Sequence, residues 1–252
     1  EYRRQRQMCI RDRLTIGYAP TSGIIYPASD RPEDIEAARK KYFSMPEDDS
    51  NWTWNVAWWS DPVLLGKYPE EGLKKYEKYL PKITEEDMRL ISEPIDVYGQ
   101  NIYNGRAFRM GADGNPEEVG RVPGAGKTAV NWPVTPECLY WGPKFLYERY
   151  KKPIYITENG MACHDIVSLD QRVHDPNRID FLARYLHELK RAAEEIDLRG
   201  YFQWSLMDNF EWEKGYAERF GIVYVDFETQ ERILKDSAYW YRDVIQTNGR
   251  DL

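Results

Sequence analysis

Four short apolar runs alternate with stretches of helical periodicity, and this alternation constrains the fold more than any other feature of the sequence. The runs are Leu14 to Tyr18, Ile95 to Tyr98 extending toward Tyr103, Pro153 to Thr157, and Gly200 to Ser205. The first helix is expected over Pro32 to Lys41, with Asp30 as its cap and Glu33 and Asp34 in its first turn. Further helices are expected over Asn51 to Trp59, Glu70 to Tyr79, Thr135 to about Tyr150, Asn177 to Glu195 and Lys235 to Gln246. Another opens at Thr84-Glu85-Glu86-Asp87 in the manner of a capping box. Asp61-Pro62 and Lys67-Tyr68-Pro69 read as chain breaks. Residues 104–131 are Gly-rich and polar and read as a loop or small hairpin. Strands alternating with helices indicate βα units on a parallel sheet. A closed (β/α)8 TIM barrel needs eight such units in about 250 residues, whereas these 252 residues supply four with large loops. The expected class is therefore α/β, half of a barrel. No Gly-rich phosphate fingerprint follows any strand, which disfavours a doubly wound dinucleotide fold.

The formal charge of -7 argues against nucleic-acid binding, which wants a basic stripe. No run of about 18 apolar residues marks a membrane span, and no apolar signal core follows the start. The three cysteines, Cys9, Cys138 and Cys163, suit neither a disulfide framework nor a CxxC metal pair. A reducing cytoplasm is the expected compartment. His164, His174 and His187 lack metal-ligand spacing and read as surface or helix residues. Residues 1–13 are basic and unpatterned and begin with Glu. They are expected to be a disordered or artefactual lead, with 14–252 as one partial-barrel domain.

Two segments carry chemistry. In Ile154-Tyr155-Ile156-Thr157-Glu158-Asn159-Gly160 an apolar strand delivers a carboxylate at its C-terminal end, and Asn-Gly turns the chain away. Active sites of βα barrels lie at that end, where a carboxylate can attack an anomeric carbon. The bland alternative is that Glu158 caps the following loop. The second segment, Trp204 to Gly215, interleaves acids and indoles after the fourth strand. Carboxylates accept hydrogen bonds from sugar hydroxyls, and indole faces cover C–H surfaces. An aromatic-filled loop plug is the alternative. The aromatic content of 14%, with 9 Trp and 19 Tyr, serves a core equally well.

Ile156-Thr157-Glu158-Asn159-Gly160, the segment WSLMDNFEWEKGYAERFGIVYVDF and the closing KDSAYWY resemble glycoside hydrolase family 1, the β-glucosidase family. The likeness runs from about Leu14 to the C-terminus. It implies the C-terminal half of the barrel, about βα units 5–8, and retaining hydrolysis of β-glucosides without metal or organic cofactor. It implies Glu158 as nucleophile, Tyr103 as the group orienting it, and Asn101 as a neighbour in the site. Glu211 and Trp212 match the pair that holds the 4- and 6-hydroxyl side of the sugar, and Trp204 the platform beneath its ring. Trp132 resembles a wall of the aglycone side and Phe220 a peripheral wall; ordinary packing accounts for both almost as well. Glu213 would repel a phosphate, so unphosphorylated sugars are expected over 6-phospho-β-glycosides.

The sequence departs from the family in one respect. The family's general acid/base is the Glu of Thr-x-Asn-Glu-Pro at the end of the fourth barrel strand, and these residues contain no such motif. Ser92-Glu93-Pro94 is no substitute. It precedes a strand and so lies at the opposite end, roughly 15 Å away, whereas a retaining pair sits about 5–5.5 Å apart. Little hydrolysis is expected of the chain alone. The expected ligand is a β-glucoside or short β-linked oligosaccharide. Four units also leave two sheet edges unpaired, so the expected protein partners are a second copy or an N-terminal half-barrel, and a non-catalytic, self-associating half-barrel is the alternative function.

Overall fold

The computed structural model describes residues 15–47 and 52–252. The lead at 1–13, Leu14 of the first expected strand, and Asn51 at the start of the second expected helix therefore lie outside the described residues. In chain order the strands are β1 (Gly17–Tyr18), β2 (Ile24–Pro27), β3 (Val97–Asn101), β4 (Gly105–Met110), β5 (Pro116–Val119), β6 (Ile154–Asn159), β7 (Leu198–Gln203), β8 (Val223–Val225) and β9 (Arg232–Leu234). The helices are α1 (Pro32–Phe43), α2 (Val56–Leu65), α3 (Glu70–Tyr76), α4 (Glu85–Ile91), α5 (Cys138–Tyr150), α6 (Pro176–Ala193) and α7 (Asp236–Gln246).

The four expected strands form one parallel sheet in the order β1-β3-β6-β7. All four C-terminal ends therefore lie on one side, as a section of a (β/α)8 barrel requires. Ile154 and Ile156, alternate residues of β6, are fully buried, so they share one face of the pleat. They join a core with Leu139, Phe145 and Leu146 of α5 and Phe181, Leu182 and Tyr185 of α6. Helix α6 forms because Phe181, Leu182, Tyr185, Leu186 and Leu189 recur on one stripe. Pro176 sits in its first turn, and Lys190 and Arg191 complement its C-terminal dipole. Truncating Phe181 would cost about 3–5 kcal/mol. Strands β1 and β7 are the outer members of the sheet.

Several local expectations give way to tertiary contacts. The first strand pairs only at Gly17 and Tyr18. The break at Asp61-Pro62 does not occur. Pro62 lies inside α2, and buried Asp61 accepts hydrogen bonds from Arg149 and from the Tyr150 hydroxyl; this packing offsets the cost of an interior proline. Asp30 does not cap α1. The cap residue is Arg31, without a side-chain bond, and Asp34 gathers Ser29 and Arg31 instead. The capping box at Thr84 and Asp87 is formed.

A hairpin, β4–β5, does form within 104–131, and β2 joins it in parallel to make a second, three-stranded sheet. The β8–β9 hairpin occupies part of what read as loop. Strands of three or four residues, one ending in proline, carry too little period-2 signal to be seen in advance.

Candidate active site

Glu158 is the penultimate residue of β6, and its cross-strand partner is Asn101, the last residue of β3. Two residues on, Tyr103 donates its hydroxyl to Glu158 Oε2 at 2.7 Å. Burial and the Glu158 carboxylate push the Tyr103 phenol well above its ordinary range, so it stays a donor at any ordinary pH. Among the described residues Glu158 Oε1 accepts no hydrogen bond. The Tyr103 bond holds one carboxylate oxygen in place, as a positioned nucleophile requires.

The turn after Glu158 does more than reverse the chain. Asn159 is fully buried. Its amide donates to Ile102 O at 2.8 Å and its oxygen accepts from the Tyr201 hydroxyl at 2.8 Å. It thus ties the top of β6 to both neighbouring strands. Gly160 is required because a Cβ there would stand 1.8 Å from Trp204 O. Asn-Gly read in sequence only as a turn, so Asn159 was missed as a brace.

Around Tyr103 the aromatic residues converge. The Trp132 ring lies 5.1 Å from Tyr103 and 6.0 Å from Phe220, and Tyr103 and Phe220 are 6.2 Å apart. Phe220 is buried, while Trp132 stays partly open. Both therefore stand beside the tyrosine that holds Glu158. Asn101 Oδ1 accepts from the Thr157 hydroxyl at 2.7 Å, fixing its amide next to Glu158 in the ladder.

Trp204 follows β7 directly, and the bond between Trp204 and Ser205 is a cis peptide. The loop then returns: Ser205 N bonds Phe220 O at 3.1 Å, and Glu211 N bonds Gly215 O at 2.6 Å around a turn at Trp212–Lys214. Burial raises the Glu211 pKa, and the charges of Glu158 and Glu218 raise it further. Glu211 therefore lies within electrostatic reach of Glu158. Trp212 is the outlier, 80% exposed. Glu213 is exposed and paired with Lys214. Glu93 pairs with Arg89 ahead of β3, at the opposite end from Glu158. Among the described residues no set of His, Cys, Asp and Glu is gathered to hold a metal, and no helix is long and apolar enough to cross a membrane.

Behind the loop lies an ion cluster that sequence reasoning missed. Lys235 and Arg178 are fully buried. Lys235 Nζ bonds Asp165 at 2.6 Å and Asp208 at 2.8 Å. Arg178 bonds Asp165 at 2.7 Å and pairs with Asp175. Arg219 completes the group by pairing with Asp208 at 2.6 Å. Burial, followed by the nearby Arg178 charge, lowers the Lys235 pKa. The cluster binds the loop after β6, the N-terminus of α6, the loop after β7 and the start of α7. Its members are scattered from 165 to 235; Asp208, Arg219 and Lys235 stood in segments already singled out, but nothing local marked them as partners of one another or of Asp165, Asp175 and Arg178.

The sequence pattern of glycosyl hydrolase family 1 matches residues 3–250. Beta-glucosidase A of Thermotoga maritima is 44% identical over 238 residues, covering 93% of this chain and 51% of the relative. Beta-glucosidase A of Acetivibrio thermocellus is 41% identical, with 93% and 52% covered. The structure of the Thermotoga maritima β-glucosidase in complex with glucoimidazole superposes with a TM-score of 0.78 at 42% identity, covering 96% of this chain and 54% of that one. The chain thus spans about half the length of these relatives.

Proposed function

The chain belongs to glycosyl hydrolase family 1, and from that premise we propose that it is the C-terminal half of a retaining β-glucosidase with Glu158 as nucleophile. The observation that carries the reading is the hydrogen bond from Tyr103 to Glu158 at the C-terminal end of a barrel strand. A Glu158 oxygen attacks the anomeric carbon as the bond to the leaving-group oxygen breaks. That oxygen takes a proton from an acid supplied by the other half of the barrel. Water then cleaves the glycosyl ester, with the same acid acting as base. Tyr103 holds the nucleophile in line with Asn101 beside it, Glu211 and Trp212 hold the 4- and 6-hydroxyl side of the sugar, Trp204 lies beneath its ring, and Trp132 and Phe220 line the approach. The proposed sugar is unphosphorylated, although the pairing of Glu213 with Lys214 offsets much of the repulsion that this carboxylate would exert on a phosphate. The proposed substrate is a β-glucoside or short β-linked glucan.

Covalent trapping tests this. A 2-fluoro-β-glucoside with an activated leaving group needs little acid catalysis, so it should label the chain even without the other half. Mass spectrometry of the digest should place the adduct on Glu158. An adduct elsewhere, or none on either the chain or the chain joined to a family 1 N-terminal half, would sink the assignment.

A second reading is favoured by the sheet edges. The outer strand β7 and the loop beyond it expose Phe202, Leu206 and Phe210, each more than half accessible. An apolar strip beside an unpaired strand edge suits association with a complementary half-barrel or a second copy.

A further inference from the structure

Strand β6 breaks its own alternation just before the carboxylate. Ile154 and Ile156 are fully buried against the helices, and Tyr155 and Thr157 are only partly buried, as a period of two requires. Continued alternation would bury Glu158 on the helix side and turn Asn159 to the inside of the barrel. The reverse is found: Glu158 is partly buried and Asn159 fully. Register gives the cause. Ile156 pairs with Gln100 of β3 and with Tyr201 of β7, but the next pairs are Asn101 with Glu158 and Gln203 with Asn159. Strand β6 thus advances two residues while β3 advances one, and three while β7 advances two. Both neighbours face one extra residue in β6, a bulge at Thr157 and Glu158.

The bulge aims the carboxylate. A register change of one residue moves a side chain to the other face of a sheet. Here it turns Glu158 from the helix layer to the inside, where Tyr103 meets it. On that inner face the Thr157 hydroxyl donates to Asn101 Oδ1 at 2.7 Å. Gly99 leaves room for the Thr157 methyl, since a Cβ at Gly99 would stand 2.8 Å from Thr157 Cγ2. On the helix face Asn159 accepts from the Tyr201 hydroxyl at 2.8 Å and donates to Ile102 O at 2.8 Å. Tyr201 is level with Ile156, ahead of the bulge, so its bond to Asn159 spans the irregularity. In a regular strand Glu158 would stand where Asn159 stands.

We infer that Tyr201 and Asn159 form a latch that holds the bulge, and that both are therefore positioning residues for Glu158. The inference rests on the reading of Glu158 as nucleophile. Neither residue meets the sugar in that mechanism; they act by keeping the carboxylate on the inner face of the sheet. Burial, with Tyr241 and Tyr185 nearby, holds the Tyr201 phenol well above its ordinary range, so the latch keeps its donor at any ordinary pH.

Trapping kinetics with the 2-fluoro-β-glucoside test it, in the 252-residue chain or, should only the joined form react, in that form. Tyr201→Phe removes one hydroxyl and keeps the ring. The limiting rate of labelling should fall about tenfold, with the half-saturating concentration unchanged, because the latch acts on the nucleophile and not on the sugar. Asn159→Ala should lose at least as much, and adding Tyr201→Phe to it should change nothing further, since the hydroxyl then has no partner to hold. Thermal melts check that each variant is folded. Hydrogen exchange read by mass spectrometry needs no reaction: in Tyr201→Phe the C-terminal ends of β3 and β6 should exchange faster, and α6 as before. An unchanged limiting rate, losses that multiply in the double variant, or unchanged exchange at the strand ends overturns the latch. A wild type labelled at Glu158 with an indifferent Tyr201→Phe removes the latch alone. A wild type labelled elsewhere, or not at all, removes the nucleophile, and the exchange comparison then decides whether the latch holds the strand end.

Discussion

The Tyr103 hydroxyl and Glu158 Oε2, 2.7 Å apart, join the ends of two adjacent parallel strands. A hydrogen bond to an ionised group contributes about 1.5–3 kcal/mol. Tyr103→Phe keeps the ring that packs on Trp132 and Phe220 and removes only this donor. In the chain joined to a family 1 N-terminal half, kcat/KM should fall roughly 10- to 100-fold, mostly through kcat, because in the proposed mechanism the contact orients the nucleophile and does not hold the sugar. An unchanged kcat would show that packing alone positions Glu158.

The cluster around Lys235 makes a stability prediction. Lys235→Met removes the charge shared by Asp165 and Asp208 while keeping much of the volume. It leaves two buried carboxylates with only Arg178 and Arg219 against them. Breaking a buried pair from one side typically costs about 3–5 kcal/mol. Urea denaturation should show a loss of that order. Because Asp208 lies three residues before Glu211, ligand affinity at the Glu158 centre should also fall. A loss below about 1 kcal/mol would mean that the two arginines suffice.

How far this was legible in sequence depended on the range of the interactions. The parallel sheet was legible because β3, β6 and β7 are apolar runs with turn residues at their ends. The placement of Glu158 was legible because a carboxylate at a strand end is a local pattern, and that of Glu211 because acids and indoles crowd one loop. Pro62 inside α2 was not, because the Arg149 and Tyr150 partners of Asp61 lie almost ninety residues away. The same holds for the Lys235 cluster, whose pairs join four separate segments. Asn159 and Gly160 were visible but underread: their turn chemistry is local, whereas Ile102, Tyr201 and Trp204, which make them indispensable, are not. Strand β2 escaped notice because four residues ending in proline are too few to announce a strand.

His174 provides a pH-dependent clamp. Its ring nitrogens meet Asp236 at 2.6 Å and Asp170 at 3.0 Å. These hydrogen bonds, that to Asp236 first, raise its pKa. A histidine raised on folding contributes stability fully below its unfolded value of about 6.5. The contribution is lost as pH rises through the folded value. At the acid end it fades as Asp170, whose pKa is lowered chiefly by its bond to His174, becomes protonated. Wild type should therefore lose Tm from about pH 6 toward pH 9 relative to His174→Gln, and the two curves should converge at the alkaline end. Parallel curves throughout that range would mean that the clamp contributes nothing.

The last prediction concerns the β7 edge. Phe202 is 58% and Leu206 65% exposed, and they lie on and just beyond an outer strand whose far side has no neighbour in the sheet. Each apolar Å² removed from water contributes about 25 cal/mol, and unpaired backbone groups along the edge add direction to the attraction. The chain should therefore self-associate, with apparent mass in size-exclusion light scattering rising with concentration. The double variant Phe202→Lys, Leu206→Lys places two like charges on the strip and should shift the population to monomer without changing far-UV circular dichroism. An N-terminal half-barrel added in excess should compete with self-association of the wild type and not of the double variant. A wild-type chain that stays monomeric at every concentration, and ignores the added half, would show that the exposed strip binds neither.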